Sequence, residues 1–522
     1  MSFNTGKFFF IFIVAVLLSC IAAWVIAYRY RKAMQRLMRA PAQSTTRDAL
    51  PPEVSDTLPP PADVTLADNR RGGFRLTLLL ISLSCLMSAT GASIWLLLSF
   101  PGEPFAPKRA AVVALMHLWP VIPAVGLIWR WSRRRVIGAL VLWCLLCFPI
   151  MLWRSIEPQP LQLLAGLAVE IGPSMVLVAL LCMGNATRAV APWLLLPFVG
   201  LVSASIIGTD ILTLMVEERS ALLNWMLPWL SAGMAMLLFA LLPWLVAWWP
   251  LRRLGRALGR AYAKKQLSEL MVLFTAVWSI ALFDKALTVA NSAGIAAIAM
   301  LLPLLWIPCV MLLYARLQAP RRRPPTLLVL RVFQRDAQVQ ELFDHVIERW
   351  RLSGNTVMIA GTDLAVRTLD ADDIFTFLDG RLAERFIQSP ADVAPRMAAF
   401  DMVPDVDGRY RVNECYCHDT TWQEALRALV QRSDVVLMDL RGFQAHNAGC
   451  RYEIGTLAQA SRALRVIVLT DYKTDRVAAA EDIGHSPPER FVWLDASSID
   501  ARKRRKVLAS LFSSPSGIPQ SL

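Results

Sequence analysis

The stretch DVVLMDLRGFQAHNAGCRYEIGTLAQAS, residues 434–461, decides the fold of the part of the chain in which it lies. Its first seven residues form a short apolar run that closes on an acidic end at Asp439. A run of that length and kind suits a strand buried on both faces of a sheet. Residues 449–461 then mix apolar and polar positions at helical spacing, and the polar loop RGFQAHN joins the two. Strand, short loop and helix make half of a β-α-β unit, so the sheet is expected to be parallel. Ligands of such sheets bind at the carboxyl ends of the strands. Asp439 stands at that edge, and Glu453 lies about one turn into the helix that begins near Ala448 or Gly449. The helix N-terminus offers free N–H groups and a partial positive charge, which suit a phosphate or another anion. Gly449 permits close backbone approach. A carboxylate placed there stabilises a developing oxocarbenium ion or attacks the anomeric carbon. The plainer alternative is a solvated Glu453 beside a core Cys450.

The same alternation extends in both directions. Strand-like runs occur at 326–333, 355–361, 409–416, 465–470 and, more weakly, 490–496. Amphipathic helical patterns lie at 337–352, 371–387, 421–432 and about 500–512. In 337–352 the apolar positions are Val339, Leu342, Phe343, Val346, Ile347 and Trp350. Alternating strands and helices predict an α/β domain over 325–515 whose parallel sheet carries helices on both faces.

Before residue 316 the pattern is different. The chain has 522 residues, 56% of them hydrophobic, with 18 Trp, and its mean hydropathy is +0.45. That balance belongs to integral membrane proteins. Stretches long enough to cross a bilayer fall near 9–28, 76–100, 111–129, 136–153, 161–183, 190–214, 221–249, 267–290 and 294–315, nine in all. Arg29, Arg31, Lys32, Arg36 and Arg39 follow the first, and Arg130 with Arg133, Arg134 and Arg135 follows the third. Arg252, Arg253, Arg256, Arg260, Lys264 and Lys265 follow the seventh, and Arg316 with Arg321, Arg322 and Arg323 follows the ninth. The opposite loops hold only Lys108, Arg109, Arg154 and Arg219. The positive-inside rule therefore predicts an outside N-terminus and a cytoplasmic C-terminal domain in a bacterial inner membrane. The net charge of +14 is accounted for by these loops and does not call for a nucleic-acid partner. The domain expectation is an anchor at 1–39, a Pro-rich cytoplasmic linker at 40–73, a multi-pass domain at 74–316 and the α/β domain at 325–515. LLSC, ending at Cys20, has the look of a lipoprotein cleavage site, but the apolar run continues past it and reads as a retained anchor. His117, Glu170, Asp210, Asp284 and Lys285 lie within the apolar stretches, where ionisable groups are functional candidates by default.

VFQRDAQVQELFDHV (332–346), SDVVLMDL (433–440) and NAGCRYEI (447–454) resemble the first strand and helix, the third strand and the Ser-x-Trp-Cys-x-x-Glu-Leu signature of Toll/interleukin receptor (TIR) domains. Cys450, Glu453 and Ile454 match that signature, Asn447 and Gly449 replace its Ser and Trp, and 370–418 looks inserted. The same region is similar to nucleoside 2-deoxyribosyltransferases, with Asp439 ending the strand and Gly449, Glu453 and Gly455 in a Gly-x-x-x-Glu-x-Gly helix. Either resemblance implies a flavodoxin-like or TIR-like sheet. Both imply that Glu453 acts at an N-glycosidic bond, in NAD or in a nucleoside, with Asp439 assisting. Asn447, Gly449, Cys450 and Arg441 are then the substrate-binding residues, no cofactor is required, and a homo-oligomer is expected. Some TIR domains keep the Glu and only assemble, so a non-catalytic nucleotide-binding or assembly module governed by a membrane sensor is the alternative. A transporter with a regulatory domain is a weaker third reading.

Cys415, Cys417 and His418, with His446 and Cys450 as further members, fit no standard zinc spacing and read as a strand end with buried thiols; no metal is expected. No P-loop, G-x-G-x-x-G, G-x-S-x-G or H-E-x-x-H motif occurs.

Overall fold

The computed structural model describes residues 5–39, 59–129, 131–154, 160–226, 228–318, 322–331, 343–360, 371–418, 420–461, 465–484, 487–497 and 501–512. The first part of the 337–352 helix expectation, up to residue 342, and much of the 40–73 linker lie outside them. The chain divides into two compact units, Met1–Tyr28 with Leu79–Leu313 and Leu369–Phe375, and Arg29–Leu78 with Tyr314–Thr368 and Thr376–Leu522.

The first unit is helical. Its elements are α1 (Thr5–Arg39, which runs on into the second unit), α2 (Leu66–Ser99, which begins there), α3 (Pro107–His117), α4 (Val121–Ile128), α5 (Arg133–Arg154), α6 (Pro160–Leu181), α7 (Asn185–Glu217), α8 (Ala221–Met226), α9 (Ala232–Ala263), α10 (Glu269–Ala293), a 3-10 segment (Gly294–Leu305) and α11 (Trp306–Leu317). Among the described residues, seven helices are long and apolar enough to cross a membrane, or eight if the bent pair α3 and α4 counts as one span. The difference from nine lies in the last two expected stretches and, where the bent pair is not counted, at 111–129. The stretches expected at 267–290 and 294–315 run together as one helical segment, Glu269–Leu317, because a 3-10 helix and not an open loop follows Gly294. Gly294 has φ +55°, a left-handed value that glycine adopts without strain. Ala297 and Met300 then pack on Ala286, Val289 and Ala290 of α10. The expected 111–129 stretch is the pair α3 and α4, bent by 44°. The expected 221–249 stretch is interrupted, with α8 set apart from α9.

Outward faces here are apolar: Trp153, Leu161, Leu245 and Val246 are among the most exposed large side chains. Such surfaces suit a lipid bilayer as partner. Where α7 meets α9, a Cβ on Gly208 would stand 1.9 Å from the Phe239 carbonyl oxygen, so only glycine allows that approach. Trp244 Nε1 donates to Ser205 Oγ at 2.6 Å across the same helix pair.

The second unit is built on a parallel sheet with seven described strands: β1 (Thr326–Arg331), β2 (Asn355–Ala360), β3 (Phe386–Ile387), β4 (Val412–Cys417), β5 (Val435–Asp439), β6 (Arg465–Thr470) and β7 (Phe491–Asp495). Their spatial order is β3-β4-β2-β1-β5-β6-β7. The chain moves from β1 toward one edge, returns, and continues from β5 toward the other. The topological switch therefore falls between β1 and β5, which pair in register from Leu327 with Val435 to Arg331 with Asp439.

Period-two alternation fills both faces. Leu328, Leu330, Val436, Met438, Val466 and Val468 point into one core, covered by α14 (Trp422–Arg432), α15 (Ala448–Gln459) and α16 (Arg476–Ile483). Leu327, Val329, Leu437, Ile467 and Leu469 point into the other, against Trp350 and the C-terminal helix α17 (Ala501–Phe512). The helix α13 (Val393–Ala398) also belongs to this unit, whereas α12 (Ala371–Leu378) begins in the first unit and only its end, from Thr376, lies in this one. The single helix expected over 371–387 is not formed. The chain turns at Gly380, φ +74°, and Phe386 and Ile387 become the edge strand β3. Val64 and Leu66 also pack on the second core, and the Asn69 amide donates to Arg349 O and Ser353 Oγ at 2.7 and 2.8 Å. The start of α2 is thus part of the α/β unit.

Candidate functional site

The loops at the carboxyl ends of β5 and β6 are laced together. Leu440 N donates to Leu469 O at 2.9 Å, continuing the ladder past Asp439. Gly442, φ +73°, turns the chain, and its N–H donates to Asp471 Oδ1 at 2.8 Å. The same oxygen accepts from Lys473 N at 3.1 Å, and the Thr474 hydroxyl lies 2.9 Å both from it and from Leu440 O. Phe443 is fully buried beneath the loop, and its carbonyl accepts from Asp475 N at 3.0 Å. The bonds of Leu440 N, Gly442 N, Asp475 N and the Thr474 hydroxyl with Leu440 O tie the two loops together at the floor of the crevice, and the two others brace the 471–474 turn itself.

Asp439 and Arg441 are brought together. The guanidinium turns back so that Nε donates to Oδ1 at 2.8 Å and Nη2 to Oδ2 at 2.6 Å. The Arg441 backbone N–H adds a bond to Oδ1 at 3.2 Å. Both residues are buried. A forked pair of this kind neutralises the carboxylate and fixes its plane.

α15 presents Cys450, Glu453, Ile454 and Leu457 as one buried stripe. These positions recur at three- and four-residue spacing, which is the sheet-facing side of the helix. Glu453 is 4% exposed, so the solvated alternative does not describe it. Cys450 is in the core, and its thiol is pushed up to about 12, first by burial and then by the Glu453 charge beside it. At neutral pH it is an inert thiol. Asn447 does not cap the helix; its side-chain oxygen accepts from Gln444 N at 2.8 Å instead. Gly449 is exposed, and a Cβ there would meet nothing within 4 Å. Arg451 points away and is held by Asp482 in a forked pair at 2.8 and 2.7 Å.

The other side of α15 borders a groove of about 410 Å³ whose walls include Arg427, Tyr452, Gly455, Thr456 and Gln459. Trp422 meets Tyr452 edge-on there, 5.3 Å between centroids. Gly455 of the Gly-x-x-x-Glu-x-Gly pattern thus opens onto this groove, whereas Glu453 faces the sheet. Cys415 and Cys417 lie 3.6 Å apart at Sγ, and the hydrogen bond between the thiols, followed by burial, raises Cys417 well above the ordinary thiol range. His418 is buried against Phe386, and His446 is exposed. Among the described residues no three His, Cys, Asp or Glu side chains are grouped to hold a metal ion.

The pairing of Asp439 with Arg441, two residues further on, and the role of Asp471 and Thr474 in the floor were not foreseen. The D-x-x-T spacing of 471–474 was the available signal, since such residues bond back to nearby backbone. No protein-family model matches this chain, and no curated protein or solved structure is significantly similar to it.

Proposed function

We propose that this is a membrane-tethered nucleotide-processing effector whose α/β unit holds a nucleotide or nucleoside at the β1/β5 switch and cleaves its N-glycosidic bond through Glu453. The observation that carries the reading is the burial of Glu453 on the sheet-facing stripe of the helix that leaves the switch strand. A carboxylate set into a crevice at a strand's carboxyl end is a candidate for chemistry. Shielded from water, it stabilises positive charge at an anomeric carbon more strongly than an exposed one does. With β3 and β4 set aside, the order β2-β1-β5-β6-β7 is that of a flavodoxin-like or TIR-like sheet. The residues between β2 and β5 are then the insertion.

One observation favours the second reading, a non-catalytic binding or assembly module. Asp439 is already engaged on both oxygens by Arg441 and is not poised to orient a ribose hydroxyl. Full-length protein in detergent, at self-associating concentration, separates the two. It is incubated with NAD and with deoxynucleosides while free base is followed by chromatography. Release of base that falls about a hundredfold or more in Glu453→Gln supports the enzyme. No release by wild type, or equal release by the variant, leaves the binding module.

The membrane arrangement we propose has nine crossings, an outside N-terminus and a cytoplasmic α/β unit in a bacterial inner membrane. The start of α2 and the chain from Tyr314 onward belong to one compact unit, so an even number of crossings joins them. Taking α3 with α4 as one span and dividing Glu269–Leu317 at Gly294 gives eight. Taking α3 with α4 as re-entrant and the last segment as one span gives six, but this places Arg133 to Arg135 and the cluster from Arg252 to Lys265 outside. The positive-inside rule selects eight, plus α1.

A further inference from the structure

The helical unit gathers a cluster of ionisable groups that anchoring does not require, with Lys285 buried, Asp284 half-buried and the Glu170 side chain 34% exposed. Lys285 of α10 is 4% exposed, and its ammonium donates to Glu170 Oε1 of α6 at 2.5 Å. Asp284, the preceding residue, hydrogen-bonds Ser174, one turn beyond Glu170 on α6. Near Lys285 lies a cavity of about 10 Å³ bounded by Ser88, Gly91, His117, Trp119, Trp278 and Lys285. That volume fits one water molecule. His117 is 8% exposed and Trp278 fully buried, and among the described residues His117 Nδ1 and Trp278 Nε1 bond to no other group. Indole N–H and ammonium can only donate, whereas an unprotonated imidazole nitrogen accepts. A water is the small species that accepts from the first two and donates to the third.

The charges lead further. Of the elements lining the cluster, α2 contributes Ser88 and Gly91 and no charge, α3 contributes His117, α6 Glu170, and α10 Asp284 and Lys285. With His117 neutral, one cation faces two carboxylates, leaving one negative charge in an apolar surrounding. A net charge there is costly, and one proton removes it.

We propose that this cluster is an intramembrane proton-binding site, with one exchangeable proton carried by Asp284 and a water in the cavity linking His117 to the Lys285–Glu170 pair. The proton arrives from solvent as hydronium and returns to it, and no other bond changes. The membrane unit then responds to acidity in addition to anchoring the α/β unit.

The test is infrared difference spectroscopy of full-length protein in phosphatidylcholine vesicles, titrated with acid at fixed salt. Wild type should gain one carboxylic C=O band of a desolvated acid, shifted by deuterium exchange. Asp284→Asn should lose it. Trp278→Phe keeps a ring and removes only the N–H, so it remains informative if the Asn variant misassembles. In it, and in His117→Asn, the midpoint should move by about tenfold in proton concentration. The proposal is overturned if wild type shows no such band, or if the band survives Asp284→Asn. It is equally overturned by midpoints unmoved in Trp278→Phe and His117→Asn, or by sodium displacing the band at constant pH, which would make the ligand a metal cation.

Discussion

Arg441 folds back on Asp439 inside the crevice floor, and the consequences of that contact are specific. Arg441→Ala strands a buried carboxylate, and the expected loss is about 3–5 kcal/mol in the unfolding of the α/β unit. The double variant Asp439→Asn with Arg441→Met should lose clearly less, because no uncompensated charge remains; a urea titration followed by near-ultraviolet circular dichroism compares them. Gly449 makes the opposite kind of prediction. A Cβ there meets nothing, so Gly449→Ala should leave the melting temperature within a degree or two. If a phosphate approaches this backbone, ligand affinity falls without loss of fold. Cys450, held near 12, should resist iodoacetamide at neutral pH in the folded protein and react only after denaturation, as read by mass spectrometry.

Gly354 fixes the entry to β2. A Cβ on it would stand 2.2 Å from the Pro325 carbonyl oxygen and 3.1 Å from Trp350, so even Gly354→Ala forces backbone movement. A loss of about 1–3 kcal/mol is expected, with slower proteolysis of the wild type as the readout. Most strands and helices from β4 to α17 were legible because each is a short apolar run or an amphipathic period bounded by polar residues; α16, Arg476–Ile483, was not, because RVAAAEDI has no clear apolar stripe. β5, for example, ends at Asp439 in both readings. β3 was not legible. Its two residues continue the helical period of α12, and only Asp379-Gly380 marks the stop. The joined segment from α10 to α11 had the converse problem: hydropathy sees two stretches, and a 3-10 helix hides the seam. In the site, Glu453 and Asp439 were visible from their offsets along strand and helix. Glu453's burial follows the period it shares with Cys450, Ile454 and Leu457, but that Arg441 folds back on Asp439 is a loop geometry that no period encodes.

At the scale of the whole molecule, the proposed topology makes a direct prediction. Alkaline phosphatase fused after residue 322 should be inactive, and fused at Gly102, in the loop between α2 and α3, it should be active. The reverse pattern would place the α/β unit outside. The α/β unit also draws on stretches far apart in the chain: the end of α1, the start of α2, and everything from Tyr314 apart from Leu369–Phe375. Tyr30 of α1 lies 3.2 Å from the Tyr416 hydroxyl of β4 and meets Phe377 edge-on, while Val64 and Leu66 complete a core facing Trp350. This has a consequence for synthesis on the ribosome. Residues 29–78 emerge early, yet their partners follow only after about 280 to 386 further residues, which at about 5–20 residues per second is a wait of roughly 15–80 s. Throughout that interval Tyr30, Val64 and Leu66 lack the surface they will cover, and the nascent chain is most exposed to holding chaperones and to proteases there. Assembly of the α/β unit thereby waits until the helical unit has been synthesised.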